Sequence, residues 1–166
     1  LREFLMDPRT INMPWLFRYI LVNGIIVPRR VDKVRKRYAQ IWNSKTGSPL
    51  KFYGNSLTAK LNTILPDNYK AFHVMRFGSD SIESILKQAK VDHPEKIIFI
   101  PLFPHETEAT TGSIRAEVDR VLDDLSIPSE IKWLPVFNQD QGYLQLMANK
   151  LKMMPLSTYD KVLFSF

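Results

Sequence analysis

The chain has 166 residues, 45% of them hydrophobic and 24% charged, which is the make-up of one folded domain with a core of its own and excludes a disordered tract. It contains no cysteine, so disulfide scaffolds, cysteine-ligated zinc and iron–sulfur clusters are excluded within these residues. Its 23 basic and 17 acidic side chains leave a net charge of +6, which suits nucleic acid, anionic lipid or a carboxylate-bearing ligand and does not choose among them. No apolar run approaches the ~20 residues of a membrane span, and no signal-peptide pattern opens the chain. A reducing compartment is compatible with the missing cysteines, and the expected location is cytoplasmic.

Residues 1–6 are mostly apolar, with Arg2 and Glu3, and predict a short helix; Asp7-Pro8-Arg9 predicts a turn. Trp15, Leu16, Tyr19 and Ile20 fall at helical spacing after Pro14. Pro28 suits a first helical turn and predicts the opening of a third helix, with Val31, Val34, Tyr38 and Ile41 on one stripe and Arg29, Lys33, Lys36, Arg37 and Gln40 on another face. After a loop at 45–49, Tyr53, Leu57, Leu61, Ile64 and Leu65 mark a fourth helix, closed by Pro66.

Beyond this point strands and helices alternate. Residues 71–77 predict a strand, and Ile82, Ile85, Leu86 and Ala89 a helix. Residues 97–103 predict the central strand: Ile97, Ile98, Phe99 and Ile100 form an apolar run too short for a helix, as in a strand covered on both faces. Pro101 and Pro104 end it, since neither can donate a ladder hydrogen bond. Ile114, Val118, Val121, Leu122 and Leu125 stripe the next helix; residues 131–136 and 162–166 predict two further strands, with Leu144, Met147, Leu151 and Met154 on the helix between them. Such alternation implies βαβ units and a parallel sheet. The expected fold is α/β, a flavodoxin-like three-layer αβα sandwich. Because the first strand of that strand order lies inside the sheet, and helices come first here, an opening strand is expected to lie outside these residues. In open α/β sheets ligands bind beyond the carboxyl ends of the strands, which points to the polar loop 105–111 after the central strand.

Four stretches together resemble the ferrochelatase family: F-L-M-D-P-R-T-I at 4–11, P-R-R-V-D-K-V-R-K-R-Y at 28–38 with G-S-P-L at 47–50, M-R-F-G-S at 75–79, and P-L-F-P-H-E-T-E-A-T-T-G-S at 101–113. Y-D-K-V-L-F-S-F at 159–166 resembles the strand leading into the family's F-S-x-H-G-x-P motif. The resemblance implies a chelatase-like fold, with residues 1–166 forming the N-terminal domain and the family's opening N-L-G-x-P strand and second domain outside them. It implies insertion of ferrous iron into protoporphyrin IX in haem synthesis, with both as substrates and no cofactor required. Met6, Ile11 and Met13, beside Phe4 and Leu5, would form an apolar lip against the macrocycle, where methionine adapts to a flat ligand. Arg29 and Arg30, with Ser48, would engage or lie near the propionates. Arg76, Phe77 and Pro104 would line the pocket wall.

Two departures from the family pattern stand out. Phe77 takes the place of the commoner Tyr or His, and Glu106 stands where an aromatic is usual. His105 and Glu106 are candidate metal ligands on chemistry alone; adjacent exposed polar residues are the plainer explanation, and no metal site is assigned. His73 is expected to be structural and His93 exposed. The resemblance places the catalytic histidine just after Phe166 and its partner glutamate in the second domain, so these residues alone are expected to bind without inserting metal.

Two alternatives stay open at this point: a non-catalytic tetrapyrrole-binding module or inactive fragment, and a nucleic-acid binder using the basic helix face. Against the last, that face lacks interleaved aromatics beyond Tyr38, and no nucleic-acid partner is expected. Peripheral membrane contact and a homodimer, formed through an unpaired sheet edge or the missing-domain face, complete the expected partners.

Overall fold

The computed structural model describes residues 1–78 and 80–163. Its organising unit is one parallel βαβ crossover. Strand β1 (Lys96–Phe99) pairs in parallel with β2 (Glu130–Trp133), in the register Lys96↔Glu130 to Phe99↔Trp133. Between them the chain makes a wide π-helical turn, Glu108–Gly112, that runs into a helix over Ser113–Leu125.

Among the described residues there are six further α-helices. Taken in chain order, α1 is Arg2–Met6, α2 Trp15–Ile20, α3 Val27–Ala39, α4 Pro49–Asn62 and α5 Ile82–Asp92; α6 is the crossover helix just described, and α7 is Gln141–Lys152. Side-chain caps set several starts. Ser81 accepts from the Ser84 amide at α5, Thr107 from Thr110 ahead of α6, and Asp140 from Tyr143 at α7.

The core forms where α5 meets α6. Ile82 and Leu86 of the first interlock with Val118 and Val121 of the second, and Ile97, Phe99 and Trp133 pack on them from the sheet. Full burial of each aliphatic side chain contributes about 1.5–3 kcal/mol. The stripe expected on α6 is therefore the face that meets the core. Phe99 and Trp133 stack at 4.7 Å between centroids, which locks the register across the pair.

The α/β class and the parallel pairing stand as the alternation implies. Several element-level expectations are corrected. The central strand stops at Phe99 instead of 103, and β2 at Trp133 instead of 136. The central strand is not covered on both faces: Ile98 is 39% exposed, because the α5–α6 layer meets only the face carrying Ile97 and Phe99. Residues 71–77 are extended without a ladder. Ala71 exchanges two hydrogen bonds with the Asn62 side chain, and the Met75 amide donates to the Asp80 carbonyl, so the polar groups at these two positions are met from outside a sheet. Of the strand expected at 162–166, residues 162 and 163 carry no ladder and the rest lies outside the described residues.

A further correction concerns Pro28, which does not open a new helix. From α2 the chain passes through a π-helical turn, Leu21–Ile26, directly into α3, giving one continuous helix with Pro28 inside it. A proline there removes a backbone donor and crowds the preceding turn. Widening of that turn answers both: Val27 N–H reaches back five residues to the Val22 carbonyl. Outside the core much apolar surface stays open. The chain exposes 12867 Å², against about 8,500 Å² for a compact monomer of this mass.

Candidate functional site

The site is built where the turn after α1 meets the extended segment 71–77 and the start of α6. Asp7 sits at the joint. Its side chain accepts hydrogen bonds from Arg76 Nη2 (3.0 Å), from the Arg9 amide (2.9 Å) and from the Ser113 hydroxyl. Arg76 in turn donates from Nε to the Ser113 hydroxyl oxygen (2.9 Å) and carbonyl (3.2 Å), lies 3.8 Å from Glu117, and stacks over the Phe77 ring at 4.5 Å. Phe4 meets Phe77 edge-on at 5.8 Å.

These contacts answer the cost of burying charge. Asp7 is 5% exposed, and an ion there is tolerable only when paired and hydrogen-bonded. Burial by itself pushes the Asp7 carboxyl up, but the hydrogen bonds from Ser113 and Arg9 and the charge of Arg76 outweigh it, and the net shift is downward. Asp7 is thus an ionised, fully engaged carboxylate. Glu117 passes the chain of charge outward to Arg120 (2.8 Å), which also meets Asp124 and Glu83.

A second clamp holds the far end of the same turn. Arg18, 7% exposed on α2, donates from Nη1 to the carbonyls of Ile11 (3.3 Å) and Met13 (3.0 Å). Between the clamps the backbone closes on itself: the Thr10 and Ile11 amides donate to the Asp7 carbonyl, and the Met13 amide to Ile11. The π-helical turn adds one more contact, since Asn23 lies on it with its amide nitrogen 3.8 Å from the Met6 sulfur. Widened turns are frequent at functional sites for this reason, that they re-aim one side chain.

Together these elements wall an open cavity of about 570 Å³, lined by Met6, Asp7, Arg9, Arg76, Phe77 and Glu117 among others. The structure therefore brings together three of the residues singled out from sequence, Met6, Arg76 and Phe77. Ile11 and Met13 are half-buried on the clamped turn beside them. Arg29 and Arg30 are exposed on α3 and, among the described residues, make no ion pair. Ser48 is half-buried at the start of α4, and Pro104 half-buried in the loop after β1; neither lines the cavity.

Glu106 faces Arg115 at 3.7 Å, and among the described residues neither it nor His105 belongs to a group of three metal-ligating side chains. His73 bonds Asn55 through Nδ1 at 3.0 Å, a structural role, and His93 is exposed in the left-handed region at φ 47°. Sequence reasoning missed Asp7, Arg18, Ser113 and Glu117. One signal was within reach: an arginine such as Arg76 at the end of an apolar segment requires a carboxylate partner if it is buried. Its partner lies 69 residues away and has no local mark. Among the described residues no helix is long and apolar enough to cross a membrane.

A family model described as Ferrochelatase matches residues 1–166. A protein named Ferrochelatase from Legionella pneumophila (strain Corby) is 39% identical over 152 residues, covering 92% of this chain and 45% of its own length. The Ferrochelatase of Francisella tularensis subsp. holarctica (strain OSU18) is 38% identical over 170 residues, covering 100% of this chain and 51% of its own. The chain thus spans about half the length of these curated relatives. No solved structure matches it.

Proposed function

The chain belongs to the ferrochelatase family, and from that premise we propose that it supplies one wall of the porphyrin site in an enzyme that inserts ferrous iron into protoporphyrin IX. The observation that carries this is the cavity, which sets the thioether of Met6 and the ring of Phe77 along one open wall. A porphyrin is a flat apolar disc with two carboxylate arms, and it asks for apolar walls at its faces and cations at its edge.

In this assignment Met6, Ile11, Met13, Phe77 and Pro104 contact the macrocycle. The propionates go to Arg29 and Arg30, with Ser48 as a hydroxyl donor. Arg76 is the less suitable anchor for a propionate, because its charge is already met by Asp7 and Glu117. Two pyrrole protons leave as ferrous iron enters, so a base is needed. No histidine lines the cavity among the described residues, and Asp7, held low and accepting three hydrogen bonds, makes a poor base. The role assigned to these residues is therefore to bind and orient the disc, while a histidine after Phe166 takes the protons. No resident cofactor is part of this proposal, and residues 1–166 act as the N-terminal chelatase domain.

The same proposal places the enzyme in the cytoplasm with peripheral membrane contact, for which the exposed Trp15, Leu16 and Phe17 on α2 are the supporting feature, and allows a homodimer across the open sheet. Vesicle co-sedimentation and light scattering test these two points. The central test is an absorbance titration with protoporphyrin. The double variant Arg29→Ala/Arg30→Ala is expected to bind about tenfold more weakly, the loss of roughly 1.4 kcal/mol. Unchanged affinity removes both arginines from the site, and a wild-type protein that does not bind protoporphyrin refutes the assignment.

A further inference from the structure

We propose that Asp7 and Arg18 are positioning residues, which hold the segment 7–13 as a fixed wall so that Met6, Ile11 and Met13 present one surface to the ligand. A turn of this length, residues 7–14 between the short α1 and the long continuous helix that α2 opens, is ordinarily mobile, because its backbone faces water and little apolar surface restrains it. Here both of its ends are tied to buried charges. Asp7 fastens the start of the turn to Arg76 and Ser113, on two elements remote in sequence. Arg18 fastens its end through the Ile11 and Met13 carbonyls.

Arg18 is the more telling of the two. It is 7% exposed, meets no carboxylate among the described residues, and leaves its buried Nε without a hydrogen-bond partner. An arginine buried on those terms costs stability relative to an apolar side chain of similar length. What it provides instead is geometry, since a single guanidinium nitrogen spans two carbonyls two residues apart and sets the curvature of the turn. The identity of the ligand rests on the proposed function; the clamp itself does not.

The test uses Asp7→Asn, Arg18→Met and, as a control, Glu130→Gln, whose exposed ion pair with Lys96 lies on the sheet. Amide hydrogen exchange is read at Thr10, Ile11 and Met13, and at Leu86, Val118 and Val121 in the core. Both clamp variants are expected to exchange about tenfold faster at the first three amides and at the wild-type rate at the last three. Protoporphyrin titration is expected to show about tenfold weaker binding and an altered induced circular dichroism of the bound porphyrin, a signature that depends on how the disc sits. Glu130→Gln is expected to change none of these. Arg18→Lys, which keeps a charged donor nitrogen, is expected to restore part of the protection.

Wild-type exchange at 10, 11 and 13 in both variants overturns the clamp. Faster exchange with unchanged affinity and an unchanged dichroism spectrum overturns its role in positioning. Should Asp7→Asn fail to fold, Arg18→Met and Arg18→Lys decide the matter. A wild type that binds no protoporphyrin refutes the function, and the exchange rates then decide on the clamp by themselves.

Discussion

Replacing Arg76 by methionine keeps the aliphatic stem over Phe77 and removes only the guanidinium, so its effect is predictable from the contacts. Asp7 loses one of three hydrogen bonds, the charge-assisted one at 3.0 Å, which is worth about 1.5–3 kcal/mol, and Ser113 loses the two it accepts from Nε, together about 1 kcal/mol. The contact with Glu117 at 3.8 Å adds well under 1 kcal/mol, and the stacking of charge over the Phe77 ring about 0.5–1 kcal/mol. The sum is about 4 kcal/mol, or roughly 8–16 °C in melting temperature for a chain of this size. The sign against pH follows from Asp7, whose carboxyl is held below its ordinary value in the folded chain. Stability from that shift is present above the carboxyl's unfolded value and is lost as the pH falls through the folded one. The gap between wild type and Arg76→Met is therefore expected to be full at pH 7 and to narrow in acid. Urea denaturation across that range, together with the Asp7→Asn/Arg76→Met double-mutant cycle, measures it. A coupling of about 1.5–3 kcal/mol at pH 7 is expected; additive single variants, or a gap that does not change with pH, would refute the assigned network.

Gly54 and Ser126 offer two simpler tests. In a helix interior Gly→Ala ordinarily stabilises by about 1 kcal/mol, but a Cβ at Gly54 would fall 2.2 Å from His73 Nε2. Gly54→Ala is thus expected to bring no gain in urea midpoint and to shift the His73 ring resonances, because the bond to Asn55 must break; a normal helical gain with unmoved resonances would show that the ring does not sit there. Ser126 ends α6 at φ 51°, a conformation that costs a residue bearing a Cβ about 1–2 kcal/mol and glycine nothing. Ser126→Gly should raise the urea midpoint by up to about 1 kcal/mol, after allowing for glycine's extra freedom when unfolded; a lowered midpoint would contradict the left-handed cap.

Legibility in the sequence followed the range of the forces involved. The stripe Ile114, Val118, Val121, Leu122 and Leu125 declared both a helix and its inner face, since period and burial are written in neighbouring residues. Residues 71–77 misled because apolar content suggested a strand while the hydrogen-bond partners came from elsewhere, from the Asn62 side chain and a turn to Asp80. Pro28 misled for a related reason. A proline is a good helix opener, yet a widened turn upstream let the helix run through it. Within the site, Met6, Arg76 and Phe77 were recognisable from the stretches that carry the family resemblance, whereas Arg18 and Ser113 were not, because nothing local marks a side chain whose partners are remote.

What the sequence determined by itself was the α/β class, the two parallel strands, the helix that joins them and the membership of a family whose pattern runs from residue 1 to 166. Each of these rests on local periodicity or on the order of motifs along the chain. Only the tertiary structure decided that Asp7, Arg76 and Ser113 meet, that Arg18 reaches back to Ile11 and Met13, and that the wall of the cavity is held by buried charge. The reason is that burying an ion requires partners at hydrogen-bond distance in space, and for Asp7 they lie 69 and 106 residues away along the chain.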